Sequence, residues 1–118
     1  MLRIYPIILE FVTEVAPFVE RIGRHDADLA KHLRRASASV VLNTAEGMYA
    51  RGGSRVACYN IALREMSECR AALEVSVRLG YVAPLPEPLE RRIAHIIGTL
   101  VRLSFPRKQA DPASGRAG

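Results

Sequence analysis

The sequence predicts an all-α protein, and more specifically an antiparallel up-down-up-down four-helix bundle. Apolar residues recur at spacings of three and four along almost the whole chain before residue 105. The alternating β-branched and aromatic residues that are typical of strands are missing, and aromatic residues make up only 6% of the chain. The helical stretches are separated by short connections, which favour antiparallel neighbours. A length of 118 residues suits one domain, which we place at residues 1–105.

The first helix is predicted from about Ile4 to Ile22, and Gly23 is predicted to end it. Pro17 lies inside this pattern, where its ring removes a backbone donor and crowds the carbonyl of Thr13. We therefore expect a kink or a helix start near Pro17. The apolar stripe of this helix comprises Ile4, Ile8, Phe11, Val15, Phe18 and Ile22.

The second helix is predicted to begin after Asp26 as N-cap, with Asp28 in its first turn, and to reach Met48 or Tyr49. Its second half is apolar nearly all round, so one bundle cannot bury the whole circumference. We infer a subunit interface there. The predicted core seam comprises Leu29, Leu33, Ala36, Val40, Asn43 and Gly47. The interface candidates are Val41, Leu42, Ala45, Met48 and Tyr49.

The third helix is predicted to follow the Gly52-Gly53 break, with Ser54 as N-cap, and to end at Leu79 before Gly80. Residues 81–88 contain three prolines and form a connection that no helix can cross. The third helix buries Tyr59, Ala62, Met66, Cys69, Leu73 and either Ser76 or Val77, and the fourth buries Leu89, Ile93, Ile96, Leu100 and Leu103. Residues 106–118 are small, polar and proline-containing without periodicity, which predicts a disordered tail.

The net charge of +5 suits an anionic partner such as RNA or DNA, although a mildly basic solvated surface accounts for it equally well. The tail supplies +2 of this charge, from three cations and one carboxylate, which leaves about +3 for the bundle. The candidate nucleic-acid-binding residues are Arg21, Arg24, Lys31, Arg34 and Arg35. A second candidate group comprises Arg91, Arg92, Arg107 and Lys108.

No catalytic, cofactor or metal constellation is evident in the sequence, so we expect a protein without enzymatic activity, cofactor or metal. A di-iron bundle needs Glu-x-x-His on two helices, and the chain has none. His25, His32 and His95 are expected at the surface. Cys58 and Cys69 lie about 16 Å apart along one helix, too far for a mutual disulfide. Without a membrane-spanning run or an export signal, a cytoplasmic location with no membrane partner is expected.

The segment RRASASVVLNTAEG, from Arg34 to Gly47, resembles the four-helix-bundle proteins encoded within intervening sequences of bacterial large-subunit ribosomal RNA genes. Glu68 falls where that family carries a recurring glutamate in its third helix. The chain departs from the family at Arg64 and Glu65, where Gly-Ser is common, and at His32, where glutamine is common. The motif residues matched here are Arg35, Ala36, Ser39, Asn43, Ala45, Glu46 and Gly47.

This resemblance implies a four-helix-bundle monomer, a homo-oligomer that in relatives is a pentameric ring, and no established enzymatic activity. A related branch, the accessory variability determinant proteins of diversity-generating retroelements, forms basic pentamers that bind nucleic acid and a reverse transcriptase. The arginine- and phenylalanine-rich segment of that branch is not found before the second helix, so the intervening-sequence group fits better. The partners expected are other copies of the chain, RNA or DNA, and alternatively a protein, in which case the basic surface is incidental.

Asn43, Glu46, Arg51 and Glu68 are predicted to form a structural polar cluster, with Arg51 as the first choice of partner for Glu46. Buried carboxamides and carboxylates need hydrogen-bond partners, because leaving them unpaired costs about 1–3 kcal/mol or more. The cluster could fix helix register, as a seam asparagine does in coiled coils. It could also pair across subunits, or serve a ligand or catalytic role.

Overall fold

The computed structural model describes residues 2–106, which form four α-helices and no strand. The helices are α1 (Ile4–Gly23), α2 (Ala27–Tyr49), α3 (Gly52–Arg78) and α4 (Glu87–Ser104). The prediction of an all-α fold with four helices is confirmed. The predicted disordered tail falls on residues 106–118, of which all but Pro106 lie outside the described residues.

The four helices enclose one apolar core, and contacts join α1 to α2, α2 to α3, α3 to α4 and α4 back to α1. Each helix contributes one stripe at the spacing that an amphipathic helix requires. In α1 the buried stripe is the predicted one: Ile4, Ile8, Phe11, Val15, Phe18 and Ile22. In α4 the prediction holds for four positions, while Ser104 is buried in place of Leu103, which is half-buried.

No helix within residues 2–106 has both the length and the apolar character that crossing a bilayer requires.

Pro17 lies within α1, which runs without interruption from Ile4 to Gly23. The expected helix start near Pro17 is therefore wrong. Pro17 itself is exposed, whereas Val15 and Phe18 beside it are buried. Packing of the apolar stripe holds the segment helical in spite of the backbone donor that proline lacks.

The N-cap of α2 is confirmed, because the backbone N–H of Leu29 donates to Asp26 Oδ1 at 2.9 Å. The predicted seam is wrong at two positions: Ala30 and Thr44 are buried, whereas Leu29 and Asn43 are only half-buried. The next buried residue after Val40 is Thr44, four positions on, and not Asn43, three positions on. At 3.6 residues per turn, a seam drawn with heptad spacing drifts around the helix.

Glycines with positive φ mark both ends of α3. The helix begins at Gly52, φ 55°, two residues before the N-cap predicted at Ser54, and Arg51 precedes it without a side-chain cap. At the other end Gly80 has φ 76°, as predicted for a terminating glycine. There Gly80 N–H donates to Val77 O and Tyr81 N–H to Ser76 O, the two bonds of a Schellman motif.

Candidate functional site

A polar recess of about 280 Å³ lies between α2 and α3 and gathers four of the residues that match the family pattern. Arg35, Ala36 and Ser39 line it from α2, and Glu68 lines it from α3. The recess is lined by His32, Arg35, Ala36, Ser39, Glu65 and Glu68. The α2 residues of the recess share one face at helical spacing, and their proximity to Glu65 depends on how α3 packs against α2.

The recess carries charges of both signs. His32 Nε2 lies 3.9 Å from Glu68 Oε2. Burial raises the pKa of the Glu65 carboxyl above its usual range, and the neighbouring Glu68 charge raises it further. Within residues 2–106 no three His, Cys, Asp or Glu side chains converge as metal ligands would.

The four residues predicted to form a polar cluster are not joined to one another in a single chain. The side-chain amide of Asn43 donates to Ser39 O at 2.9 Å and to Ser39 Oγ at 3.0 Å, so its bonds stay within α2. Glu46 and Arg51 are both exposed, and no ion pair links them among the described residues. Glu68 faces His32 instead. The expected Glu46–Arg51 pair is wrong for the single chain, because side chains that reach solvent need no partner.

The five candidate nucleic-acid-binding residues lie on different surfaces. Arg24 is engaged by Glu20 at 3.4 Å, and the Arg21 guanidinium lies 5.2 Å from the centre of the Phe18 ring. Arg35 lines the polar recess. The remaining two, Lys31 and Arg34, line a groove on the other side of α2.

The described members of the second basic group are both occupied by carboxylates. Arg91 pairs with Glu87 at 3.4 Å, and Arg92 forms an ion pair with Glu14 that joins α4 to α1. Arg107 and Lys108 lie outside the described residues. Among residues 2–106, the first group therefore has more positive charge without an ion-pair partner than Arg91 and Arg92 have.

The groove that Lys31 and Arg34 line runs between α1 and α2, has a volume of about 620 Å³ and is mainly apolar. Sequence reasoning missed it, although small residues on both helices were a usable signal. Where two helices meet through alanine and glycine, their side chains cannot fill the space outside the core. Its apolar and small lining residues are Val12, Val15, Ala16, Val19, Gly23, Ala27, Ala30 and Ala38, and its polar ones are Glu20, Lys31, Arg34 and Ser37.

The second half of α2 exposes large apolar side chains. Leu42 is 67% exposed and Tyr49 is 86% exposed. Val41, Ala45 and Met48 are half-buried, and Val41 packs against the core. Of the five interface candidates, Leu42 and Tyr49 thus present the apolar surface that a single chain leaves uncovered.

The two cysteines are free thiols. Burial, reinforced by the charges of Glu65 and Glu68, raises the pKa of Cys69 to about 12. The Cys69 thiol is therefore protonated at neutral pH, and the thiol form is a poor nucleophile.

Comparison with known proteins agrees with this geometry. The 23S rRNA-intervening sequence protein family matches residues 1–101. A solved structure from Bacteroides thetaiotaomicron, described as a protein with unknown function from the S23 ribosomal protein family, has a TM-score of 0.74 at 21% identity. The match covers 86% of this chain and 98% of that one, and at this identity it shows a shared fold. No curated protein matches the chain. With four helices, a matching motif on α2 and a family match over residues 1–101, the chain belongs to the 23S rRNA-intervening sequence protein family.

Proposed function

We propose that this protein is a non-enzymatic homo-oligomer of antiparallel up-down-up-down four-helix bundles that binds RNA or DNA through a basic surface. A ring of five subunits is the arrangement that the family resemblance implies. The chemistry proposed is phosphate recognition by arginine and lysine, which depends little on sequence.

The observation that carries the proposal is the division of α2 into two unlike exposed surfaces. Its first half presents Lys31, Arg34 and Arg35, none of which forms an ion pair among the described residues. Its second half presents Leu42 and Tyr49 to solvent. Burial of the apolar half between copies would bring several cationic halves into one assembly.

Multiplication of a small patch matters because one chain carries little excess charge. Residues 2–106 contain 14 Lys and Arg against 11 Asp and Glu, a net charge of +3. Each phosphate contact releases condensed counterions, so the contacts of several copies add up in the salt dependence of binding. An assembly would therefore bind a polyanion far more tightly than one chain.

The direct test is a titration of fluorescently labelled single- and double-stranded RNA and DNA at low and at physiological salt. We expect binding at low salt and a linear fall of log K with log salt, with a slope of about −0.7 to −0.9 for each phosphate bound. Absence of binding to all four probes at low salt would remove the nucleic-acid proposal.

A charge-matched pair of variants tests the α2 surface. Arg35→Gln should weaken binding and flatten the salt slope by about one unit for each phosphate that the variant no longer binds. The control, Arg70→Gln, removes the same charge from an exposed position of α3. Equal weakening by both variants would mean that net charge matters and this surface does not.

A second candidate function, a protein-interaction scaffold with an incidental basic surface, is favoured by the mainly apolar groove between α1 and α2. Such a groove complements an apolar side chain better than a phosphate. Recovery of a specific protein in a pull-down free of nucleic acid, together with no binding in the titration above, would select this alternative.

A further inference from the structure

Two surfaces that residues 2–106 leave uncovered carry complementary charge and apolar character. The first, which we call the α2 strip, consists of Leu42, Glu46 and Tyr49. Their spacings of four and three place them on one face of α2. All three are exposed, so a carboxylate stands between two large apolar side chains.

The second surface is the α1–α2 groove. Its floor and walls are apolar, with Val12 and Val19 on α1 and Ala27 and Ala38 on α2. Lys31 and Arg34 also line the groove, and neither has an ion-pair partner among residues 2–106. The carboxylate at this groove, Glu20, is already engaged by Arg24.

We propose that the α2 strip of one copy docks into the α1–α2 groove of a second copy, with its Glu46 against Lys31 and Arg34 of that copy. This inference rests on the proposed homo-oligomer and names the surfaces that hold it together. Leu42 and Tyr49 lose their exposure to water in the groove, and the one acidic group of the strip meets two unpaired cations.

The groove is long enough to hold the strip. Tyr49 lies seven positions after Leu42, so the strip is about 10.5 Å long at 1.5 Å per residue. The α2 wall of the groove spans eleven positions, from Ala27 to Ala38, and is about 16.5 Å long. A groove of about 620 Å³ has room for the two large side chains of the strip.

The chemistry of the groove selects this occupant over a nucleic acid. Phosphates gain nothing from an alanine and valine floor, whereas the strip offers apolar groups and a carboxylate in matching order. The interface covers Lys31 and Arg34, so Arg35 is the α2 cation that remains for phosphates in the assembly.

We take the interface as heterologous, because the ring that the family resemblance implies needs each copy to use its strip on one neighbour and its groove on the other. Such interfaces close into a ring when the rotation between copies permits. A reciprocal pairing of strip and groove between two copies would instead give a dimer with two-fold symmetry.

Complementation between two disabled variants tests the interface. Leu42→Glu with Tyr49→Glu disables the strip, and Ala16→Trp with Ala38→Trp fills the groove; all four positions are exposed, so the fold should persist. Light scattering should give 13.0 kDa for each variant alone. In an equimolar mixture, the intact strip of the groove variant can dock into the intact groove of the strip variant. No further copy can then add, so the mixture should give a heterodimer of twice that mass.

Charge reversal tests the predicted ion pairs. Glu46→Lys should raise the dissociation constant at least tenfold, because it places like charges together, and adding Lys31→Glu with Arg34→Glu in the same chain should restore most of the affinity. Asp28→Lys, at an exposed position on the same helix, is the control and should change little.

Two results would overturn the inference. If the groove variant keeps the wild-type mass while the strip variant dissociates, the strip docks elsewhere; the homo-oligomer then stands and this interface fails. If the wild-type chain is itself a 13.0 kDa monomer at micromolar concentration, both the proposed homo-oligomer and the strip–groove interface fail.

Discussion

Gly47 packs directly against the aromatic ring of Tyr59. A Cβ built at Gly47 would lie 2.5 Å from Cε1 and 2.9 Å from Cδ1 of that ring, closer than carbon atoms can approach. Tyr59 is 2% exposed, so its ring cannot turn away from Gly47 without displacing other packed atoms. The glycine of the Asn-x-Ala-Glu-Gly motif is therefore required by the α2–α3 packing as well as by any role of the motif in function.

Replacing Gly47 by alanine should destabilise the protein by about 1–3 kcal/mol, as overpacking of a filled site does. A loss of stability would be informative, because alanine in a helix is otherwise more favourable than glycine by up to about 1 kcal/mol. Urea denaturation followed by circular dichroism would measure the change.

Gly98→Ala is the matched control for this prediction. Gly98 lies inside α4, where an added Cβ would have only Arg102 Nη1 near it, at 3.6 Å. This substitution should stabilise by about 0.5–1 kcal/mol. Equal effects at the two glycines would show that the Tyr59 ring does not constrain Gly47.

Sequence reasoning placed Gly47 correctly on the buried face of α2 but could not name Tyr59 as its partner. The two residues lie on different helices, and helical periodicity gives the face of each residue without the register between helices. The same limit explains why Asn43 was expected on the seam and bonds Ser39 instead. A polar side chain at the edge of the core can form its hydrogen bonds with residues of its own helix, as Asn43 does.

At the scale of the elements, Glu14 and Arg92 form an ion pair that ties α1 to α4. Their side chains are only 29% and 30% exposed, whereas those of Glu87 and Arg91 are 77% and 70% exposed. Partial burial reduces screening by water, so the pair between helices should contribute more than the pair within α4.

A double-mutant cycle with Glu14→Gln and Arg92→Met should give a coupling of about 1–2 kcal/mol. The same cycle on Glu87 and Arg91 should give no more than about 0.5 kcal/mol. Thermal unfolding of the wild type and of the single and double variants would supply both values. A coupling as large within α4 as between α1 and α4 would contradict this assignment.

Periodicity was sufficient to predict the four helices and the whole buried stripe of α1, since burial of an amphipathic helix follows its 3.6-residue repeat. It was insufficient at Pro17 and at the start of α3. Tertiary packing kept Pro17 inside a continuous helix, and Gly52 took a backbone conformation that let α3 begin before Ser54. The Glu14–Arg92 pair has no local signal, because its members are 78 positions apart in the sequence.

For the whole molecule, the proposed assembly would link stability to the exposed second half of α2. In the isolated chain, Leu42 and Tyr49 expose apolar surface to water, which is unfavourable. Association would bury that surface. The sequence indicated this surface because the apolar residues exceeded one helix face. The α1–α2 groove escaped prediction, because a groove arises from the spacing of two helices and no single periodic pattern reports it.

If the native state is an assembly, its melting temperature must depend on protein concentration, because mass action favours the associated form. We expect Tm to rise by several degrees between about 1 and 100 μM, since a hundredfold excess over a dissociation constant stabilises by about 2.7 kcal/mol. Leu42→Glu should abolish this dependence and leave the helical content unchanged. Leu9→Glu, at an exposed leucine in the middle of α1, should preserve the dependence. A wild-type Tm independent of concentration over this range, measured by differential scanning fluorimetry, would mean that the chain unfolds as a monomer and that the exposed half of α2 is not buried between copies.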